Sequence, residues 1–199
     1  MKLVPQEVEL TTVGPFSWIA DSTEAPPRIF AAPESRECGV YLFTVPTVKG
    51  NLIYWAGQTS QAFRSRLQTH SREFLAGTYN ILDIPDLLEG KRNVRWKGLW
   101  WRKNSPNRYE EYLRCAGEVA PLTLKQLQTT CIYLIPNEKN RRFLARLEAA
   151  IVHNLYANPE VGLILDQGYS LSPRWENEEP IQVLLTGPEF RGLPGSFMV

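Results

Sequence analysis

Two neighbouring apolar runs are the clearest structural signal in the chain: Gly39-Val40-Tyr41-Leu42-Phe43-Thr44-Val45 and, after a short loop, Leu52-Ile53-Tyr54-Trp55-Ala56. Both runs are rich in β-branched and aromatic residues, which favour strands, and Pro46 follows the first run. The polar loop between them contains Lys49-Gly50-Asn51. The pattern therefore predicts two antiparallel strands joined as a hairpin.

A helix is expected directly after the hairpin, and a further strand and helix follow later in the chain. Phe63, Leu67 and Phe74 have helical spacing. A third strand is predicted at 130–135 and a second core helix at 139–156. The order strand, strand, helix, insertion, strand, helix predicts an α+β fold with a small central sheet flanked by helices.

Three parts are expected along the chain. Residues 1–37 hold five of the fifteen prolines and one alternating stretch at 8–13, so we interpret them as an extension packed on the main domain. The main domain is expected at 38–175. Residues 176–199 form a second extension, punctuated by proline and glycine, with one predicted strand at 181–185.

A long insertion is expected at about 78–129, between the first core helix and the third core strand, with helical segments around 108–116 and 122–128. In its part 91–103, six positive charges and three tryptophans fall within thirteen residues, without an acidic residue. Lys and Arg contact phosphate backbones, and exposed indoles stack on bases. The same tryptophans could instead anchor the insertion to the core. The nucleic-acid-binding candidates are Arg92, Arg95, Trp96, Lys97, Trp100, Trp101, Arg102 and Lys103.

The composition excludes several classes of protein. The 22 Lys and Arg nearly balance the 21 Asp and Glu, so the net charge of +1 gives no overall sign of nucleic-acid binding. Three widely spaced cysteines without a CxxC pair exclude a disulfide framework and a cysteine-rich zinc ribbon. No apolar run approaches the ~18 residues that span a bilayer. We therefore expect a soluble protein of the reducing cytoplasm, without a membrane partner.

Glu148 is the first candidate for chemistry, because it lies four residues from Leu144 and from Val152, on the stripe that should face the core. A carboxylate there must be paired, protonated or bound to a cation. The competing interpretation is a residue at the edge of the stripe that reaches solvent or pairs with Arg141 or Arg146.

Arg66 and His70 are four residues apart in the first helix and should project from the same face. Such a pair is more often part of a solvated helix surface than of a site. Tyr41 shares one side of its strand with Phe43 and Val45, a position that is more often core than catalytic.

Taken in order, these residues resemble the GIY-YIG nuclease superfamily. The sequence has Gly39-Val40-Tyr41 on one strand, Trp55-Ala56-Gly57 on the next, Arg66 and His70 on a helix, and Glu148 on a later helix. The resemblance covers the core apart from the insertion and leaves both extensions unexplained. It implies a GIY-YIG-like central sheet and hydrolysis of phosphodiester bonds in DNA.

The resemblance also implies a role for each matching residue. Glu148 would hold a single Mg²⁺, which Mn²⁺ may replace, and Arg66 would stabilise the charge of the transition state. Tyr41 would deprotonate or position the attacking water, and His70 would orient Tyr41 or assist proton transfer. A tyrosine has an ordinary pKa near 10, so a neighbouring cation is needed to favour its phenolate.

The second motif departs from the family pattern. When Gly57 is aligned, Trp55 occupies the place of the family's tyrosine, and Tyr54 lies one residue too early. Because side chains alternate along a strand, Tyr54 cannot replace that tyrosine unless a bulge shifts the register. An indole cannot act as a base, so the proton-transfer role falls on Tyr41 alone, and a slow or inactive enzyme is one possible outcome.

The family also has a late asparagine that supports the site. The candidates for this asparagine all follow Glu148 in the sequence, and they are Asn154, Asn158 and Asp166. Our choice is Asn158, just before Pro159 at the expected end of the helix.

The leading hypothesis is a Mg²⁺-dependent DNA endonuclease of the restriction, repair or mobile-element kind. The alternative is a catalytically degenerate nucleic-acid-binding module that keeps the fold, and a weaker one is a protein-interaction domain. A homodimer would help to cut both strands, but no feature of the sequence identifies an interface.

Overall fold

The computed structural model describes residues 5–19, 25–102, 106–138, 140–166 and 171–199. The chain is a mixed α+β protein, as predicted. In chain order its elements are β1 (Gln6–Thr11), β2 (Val13–Ser17), β3 (Gly39–Thr47), β4 (Gly50–Thr59), α1 (Phe63–Leu75), β5 (Ile81–Leu82), α2 (Ile84–Leu88), β6 (Val94–Trp96), α3 (Arg108–Thr129), β7 (Cys131–Pro136), α4 (Arg141–Ala157), β8 (Ile181–Thr186) and β9 (Ser196–Met198).

The central sheet has four strands in the order β2-β7-β3-β4, and each neighbouring pair is antiparallel. The predicted hairpin is confirmed as β3 and β4, and the predicted third strand is β7. Strand β3 lies inside the sheet, and every residue from Gly39 to Val45 is buried. This explains its near-continuous apolar run, since a strand covered on both faces has no polar side.

Helix α4 packs on β3 and β4. The apolar stripe predicted for α4 is buried. Burial of each such aliphatic side chain contributes about 1.5–3 kcal/mol to the stability of the fold. The buried residues of the stripe are Leu144, Leu147, Ile151, Val152 and Leu155. Within the described ranges, no helix combines the length and apolar character needed to cross a bilayer.

The two extensions meet in a second sheet. Strand β1 pairs in parallel with β8, and β9 pairs antiparallel with β8. The single strand predicted at 8–13 is wrong, because the chain turns at Thr12 and continues as β2 in the central sheet. The backbone N–H of Thr12 donates to the carbonyl of Thr186 at 2.8 Å, which fixes this turn. Pro15 is tolerated in β2 because β2 is an edge strand.

The insertion contains one long helix where two were predicted. Helix α3 runs through Pro121, although a proline ring clashes with the carbonyl four residues earlier. That residue is Gly117, and a Cβ at Gly117 would meet nothing within 4 Å. Before α3, the short strands β5 and β6 pair as an antiparallel ribbon.

Candidate functional site

A cleft of about 500 Å³ lies where β3, β4, α1 and α4 meet one edge of the insertion. Strands β3 and β4 contribute Tyr41 and Gly57 to its lining, α1 contributes Arg66, and α4 contributes Glu148. Its other lining residues include Thr78, Tyr79, Asn80, Trp100 and Asp166. The phenol, guanidinium and carboxylate that were singled out from the sequence therefore line the same cleft.

Tyr41 lies at the centre of a hydrogen-bonded group. Its Oη is 2.7 Å from Nε2 of His70, and Nε of Arg66 donates to the same oxygen at 3.3 Å. Only 1% of Tyr41 is exposed. Burial raises the pKa of Tyr41 to about 12, although the charge of Arg66 acts in the opposite direction. The phenol is therefore protonated at neutral pH.

His70 is fully buried, which excludes the solvated helix surface as its environment. Burial, together with the charge of Arg66, lowers the pKa of His70 to about 3, so its ring is neutral. Within the described part of the chain, Nδ1 of His70 has no hydrogen-bond partner. Its ring centroid lies 5.5 Å from that of Phe43 and 6.2 Å from that of Trp55. Aromatic packing thus holds the imidazole against Tyr41.

Glu148 presents a partly buried carboxylate to the cleft. Burial raises the pKa of Glu148 to about 7, and the nearby Arg66 opposes this effect. The predicted alternative of a bridge to Arg146 is wrong, because Arg146 bonds the carbonyls of Glu179 and Val199. Among the described residues, Glu148 takes part in no ion pair, so its charge is not neutralised by direct contact.

A β-bulge on β4 determines the geometry of the second motif. Phe43 pairs with Trp55 and Thr44 pairs with Ile53, which leaves Tyr54 as the extra residue. Trp55 consequently shares a face with Phe43 and lines the cleft. Tyr54 does not replace it, because its buried Oη bonds Oγ1 of Thr130 at 2.7 Å, away from the cleft lining.

Asp166, rather than Asn158, accompanies Glu148 in the cleft. The backbone N–H of Asp166 donates to the carbonyl of the bulge residue Tyr54 at 2.8 Å. Asn158 is absent from the lining of this cleft, which corrects our choice. As the C-cap of α4, Asn158 accepts the backbone N–H of Glu160 through its side chain at 3.0 Å and is held in that turn.

The sequence reasoning missed Tyr79 and Asn80. Tyr79 is half-buried in the cleft, with its ring centroid 5.6 Å from those of Trp55 and His70. Asn80 accepts the backbone N–H of Gly98 at 2.9 Å and donates to Asp166 at 2.8 Å. Both residues lie near the start of the insertion, where neither a periodic pattern nor a motif in the sequence indicates a functional residue.

Trp96 anchors the wall of the cleft and does not face nucleic acid, which corrects the prediction for this residue. It is buried, and its Nε1 donates to the carbonyl of Gly77 at 2.8 Å. The backbone N–H groups of Leu99 and Trp100 donate to Gly77 and Thr78 at 2.9 and 3.0 Å. The segment after Trp96 is therefore hydrogen-bonded to the segment that follows α1.

The other predicted nucleic-acid contacts have different environments. Arg92 pairs with Asp166 at 2.6 Å, and Arg95 lies 3.5 Å from Asp83. Lys97 is exposed. The side chains of Trp101 and Arg102, and the whole of Lys103, lie outside the described residues. Trp100 is 63% exposed and lines the cleft.

The donor set at Glu148 fits a hard divalent cation that keeps most of its water. In the described ranges, no three His, Cys, Asp or Glu side chains converge on one point. Among the residues with described positions, no cation forms an ion pair with Glu148, so its oxygens are open to a metal ion, which a carboxylate largely removed from water favours. Asp166, which lines the same cleft, is already bound by Arg92 and Asn80.

The chain matches no family model, no curated protein and no solved structure.

Proposed function

We propose that the chain is a GIY-YIG-type endonuclease that hydrolyses phosphodiester bonds in DNA with one Mg²⁺ held at Glu148. The observation that carries the proposal is the meeting of Tyr41, Arg66 and Glu148 in one cleft. This is a combination of a proton-transfer group, a phosphate-binding cation and a metal-binding carboxylate. These are the three components that metal-assisted phosphodiester hydrolysis needs.

Arg66 binds the phosphate in this proposal. Its guanidinium is permanently charged and planar, so it can donate to two phosphate oxygens at once. Its Nε also donates to Tyr41, which ties the position of the phosphate to that of the phenol. Charge that develops on the phosphate during attack is therefore stabilised beside the group that handles the proton.

Tyr41 and His70 handle the proton of the attacking water. With a pKa of about 12, the hydroxyl of Tyr41 is protonated at neutral pH. Tyr41 can therefore accept the proton of the water only if it gives its own hydroxyl proton to a neighbouring group. The neutral ring of His70, with Nε2 at 2.7 Å, can accept it in one of its tautomers. Because the pKa of His70 is lowered to about 3, the ring holds that proton only transiently during the transfer. The Arg66 donor favours negative charge on the phenol oxygen during this transfer.

Mg²⁺, or Mn²⁺ in its place, would supply positive charge for the phosphate and orient a water for attack when bound at Glu148. The pKa of about 7 means that Glu148 is ionised only in part at neutral pH without a cation. Cation binding therefore favours the carboxylate, and Asp166 with Arg92 forms a fixed polar boundary beside it.

Nicking of supercoiled plasmid DNA tests the proposal directly. Purified protein with Mg²⁺ or Mn²⁺ should convert the supercoiled form to the open circle, and Glu148→Gln should abolish this conversion. Glu118→Gln is the control, because Glu118 is exposed on α3 and absent from the cleft lining. Mn²⁺ binding followed by electron paramagnetic resonance should be lost in Glu148→Gln alone. Unchanged nicking in that variant rejects the assignment.

The alternative of a degenerate DNA-binding module has one observation in its favour. Trp55 lies beside Phe43 and His70, so the second motif contributes an indole where a phenol is expected. Trp55→Tyr separates the two functions. If the natural chain binds DNA without cutting it and Trp55→Tyr cuts, the module is degenerate, whereas a natural chain that already nicks is an enzyme.

A further inference from the structure

We propose that Trp100 is a stacking subsite for an unpaired base, so that the substrate of the nuclease is DNA whose bases are unstacked at the cleavage site. The inference rests on the proposed function, because it names the substrate class of the same cleft. Trp100 lines the cleft but has no part in the roles proposed for Tyr41, Arg66 and Glu148.

Trp100 differs from the other aromatic residues of the cleft by its exposure. It is 63% exposed, whereas Trp55 and Tyr79 are half-buried and Tyr41 is buried. A large apolar ring that lines a cleft and remains open to solvent is suited to a planar ligand. Every nucleic-acid base has such a face, and aromatic side chains stack on it without regard to sequence.

The backbone of Trp100 is held in place. Its N–H donates to the carbonyl of Thr78 at 3.0 Å, and the preceding Leu99 donates to Gly77. Gly98 permits this close approach, since a Cβ at Gly98 would lie 2.3 Å from the carbonyl oxygen of Thr78. The backbone that carries the ring is therefore ordered before a base binds, so binding does not have to order this segment.

The size and depth of the cleft favour a single strand over a duplex. A volume of about 500 Å³ suits a ligand of the size of a nucleotide. Tyr41 is 1% exposed, so the reacting phosphate must enter the cleft to approach its hydroxyl. A strand whose bases have left the stack can enter, and the base beside the phosphate then needs a new surface to cover its face.

The charges that line the cleft agree with this arrangement. Arg66 is the cation that meets the phosphate, and Asp166 is neutralised by Arg92. Glu148 receives the cation of the proposed function, and Glu73 is a further carboxylate of the lining. Arg66 is thus assigned to the phosphate, Glu148 to the metal and Trp100 to the base.

Binding without metal tests the inference separately from cleavage. Fluorescence anisotropy in EDTA would compare a labelled single-stranded DNA of about twenty nucleotides, the matching duplex, and the same duplex with a central unpaired bubble. The proteins are the natural chain, Trp100→Ala, Trp100→Phe and Trp175→Ala. Trp175 is the matched control, because it is 60% exposed but absent from the cleft lining.

The natural chain should bind the single strand and the bubble more tightly than the duplex. Trp100→Ala should weaken binding to the single strand and the bubble by about 5- to 100-fold and binding to the duplex by less than about 2-fold. Trp100→Phe should keep most of the affinity, and Trp175→Ala should keep all of it. The salt dependence of binding should be parallel in the natural chain and Trp100→Ala, since no charge is removed.

An equal loss for duplex and single strand in Trp100→Ala, or no loss, overturns the inference. Plasmid nicking with unchanged single-strand affinity in Trp100→Ala would leave the nuclease standing without this subsite. Binding that depends on Trp100 in a protein that never nicks would keep the subsite and remove the nuclease.

Discussion

The phenol of Tyr41 lies over Gly57 on the neighbouring strand, so closely that a Cβ at Gly57 would be 2.3 Å from the Tyr41 hydroxyl oxygen. The two residues are paired across β3 and β4, and their register is fixed by the hairpin. The absence of a side chain at Gly57 therefore creates the space in which the hydroxyl meets His70 and Arg66.

Gly57→Ala should displace the Tyr41 ring. We expect nicking to fall at least about 10-fold and the free energy of unfolding to fall by about 1–3 kcal/mol, since overpacking of a buried site has this cost. Urea denaturation and plasmid nicking measure the two effects.

Gly117→Ala is the control, because Gly117 lies in α3 with nothing within 4 Å of its missing Cβ. This change should raise stability by about 0.5–1 kcal/mol and leave nicking unchanged. If Gly57→Ala behaves in the same way as the control, the space above Gly57 has no role in positioning the phenol.

Tyr41→Phe removes the hydroxyl and keeps the ring. We expect the cleavage rate to fall by about 10²–10⁴-fold, the usual range for loss of a general acid or base. Single-turnover cleavage at saturating protein measures the rate independently of DNA affinity, which should change little.

Tyr54→Phe is a matched control for loss of a buried phenol. The hydroxyl of Thr130 donates to the carbonyl of Gln126, so Tyr54 donates to Thr130. Loss of this bond should lower stability by about 1 kcal/mol and leave the cleavage rate unchanged. A comparable rate loss in both variants would assign the effect of Tyr41→Phe to folding.

Local patterns were sufficient to predict which faces are buried, whereas the expectation that the main residues of the site meet came from the resemblance to the GIY-YIG superfamily. The β-rich run of β3 and the apolar stripe of α4 determine which faces are buried, and these faces carry Tyr41 and Glu148 into the sheet–helix interface. The spacing of Arg66 and His70 places them one helical turn apart. For these four residues, periodicity predicts the helix or strand and its buried face, and the ordered match to the family motifs predicts that they share one site.

The supporting residues could not be predicted in this way, because their positions depend on contacts between distant segments. Asp166 is placed by the carbonyl of the bulge residue Tyr54, and Tyr79 follows a segment that is hydrogen-bonded to Leu99 and Trp100. A bulge is one extra residue in a strand, so no repeating pattern marks it. Spacing left Asn154 and Asp166 as alternatives to the chosen Asn158, and the turn after α4 keeps Asn158 out of the cleft lining.

Glu148 should make the metal-free protein less stable as the pH rises. Its pKa is raised from 4.5 to about 7, so the folded state holds the proton more tightly than the unfolded state. The resulting stabilisation is complete below about pH 4.5 and is lost as the pH rises to about 7. A pKa difference of this size corresponds to a loss of about 3 kcal/mol in the free energy of unfolding across this pH range.

Urea denaturation in EDTA at pH 5 and pH 8 measures this effect. When the pH is raised from 5 to 8, the free energy of unfolding of Glu148→Gln should increase by about 2–3 kcal/mol relative to that of the natural chain. The free energy of unfolding of Glu118→Gln should show no such increase. Added Mn²⁺ should stabilise the natural chain at pH 8 but not Glu148→Gln. Parallel pH profiles in all three proteins would show that Glu148 is solvated and ionised in the folded state.

His70 should have the opposite effect on stability. Burial and Arg66 lower its pKa from 6.5 to about 3, so the unfolded state takes up a proton that the folded state refuses. Its contribution is therefore complete above about pH 6.5 and is lost as the pH falls towards 3. Between about pH 4.5 and 6.5 the slopes from His70 and Glu148 oppose each other, so their effects on the natural chain partly cancel.

His70→Gln removes this titration and keeps an amide that can bond Tyr41. On acidification from pH 7 to pH 4 it should lose roughly 3 kcal/mol less stability than the natural chain. His153→Gln is the control, since His153 is exposed on α4 and should follow the natural chain. If all three proteins lose stability in parallel, His70 carries a proton in the folded state, and it cannot accept one from Tyr41 during cleavage.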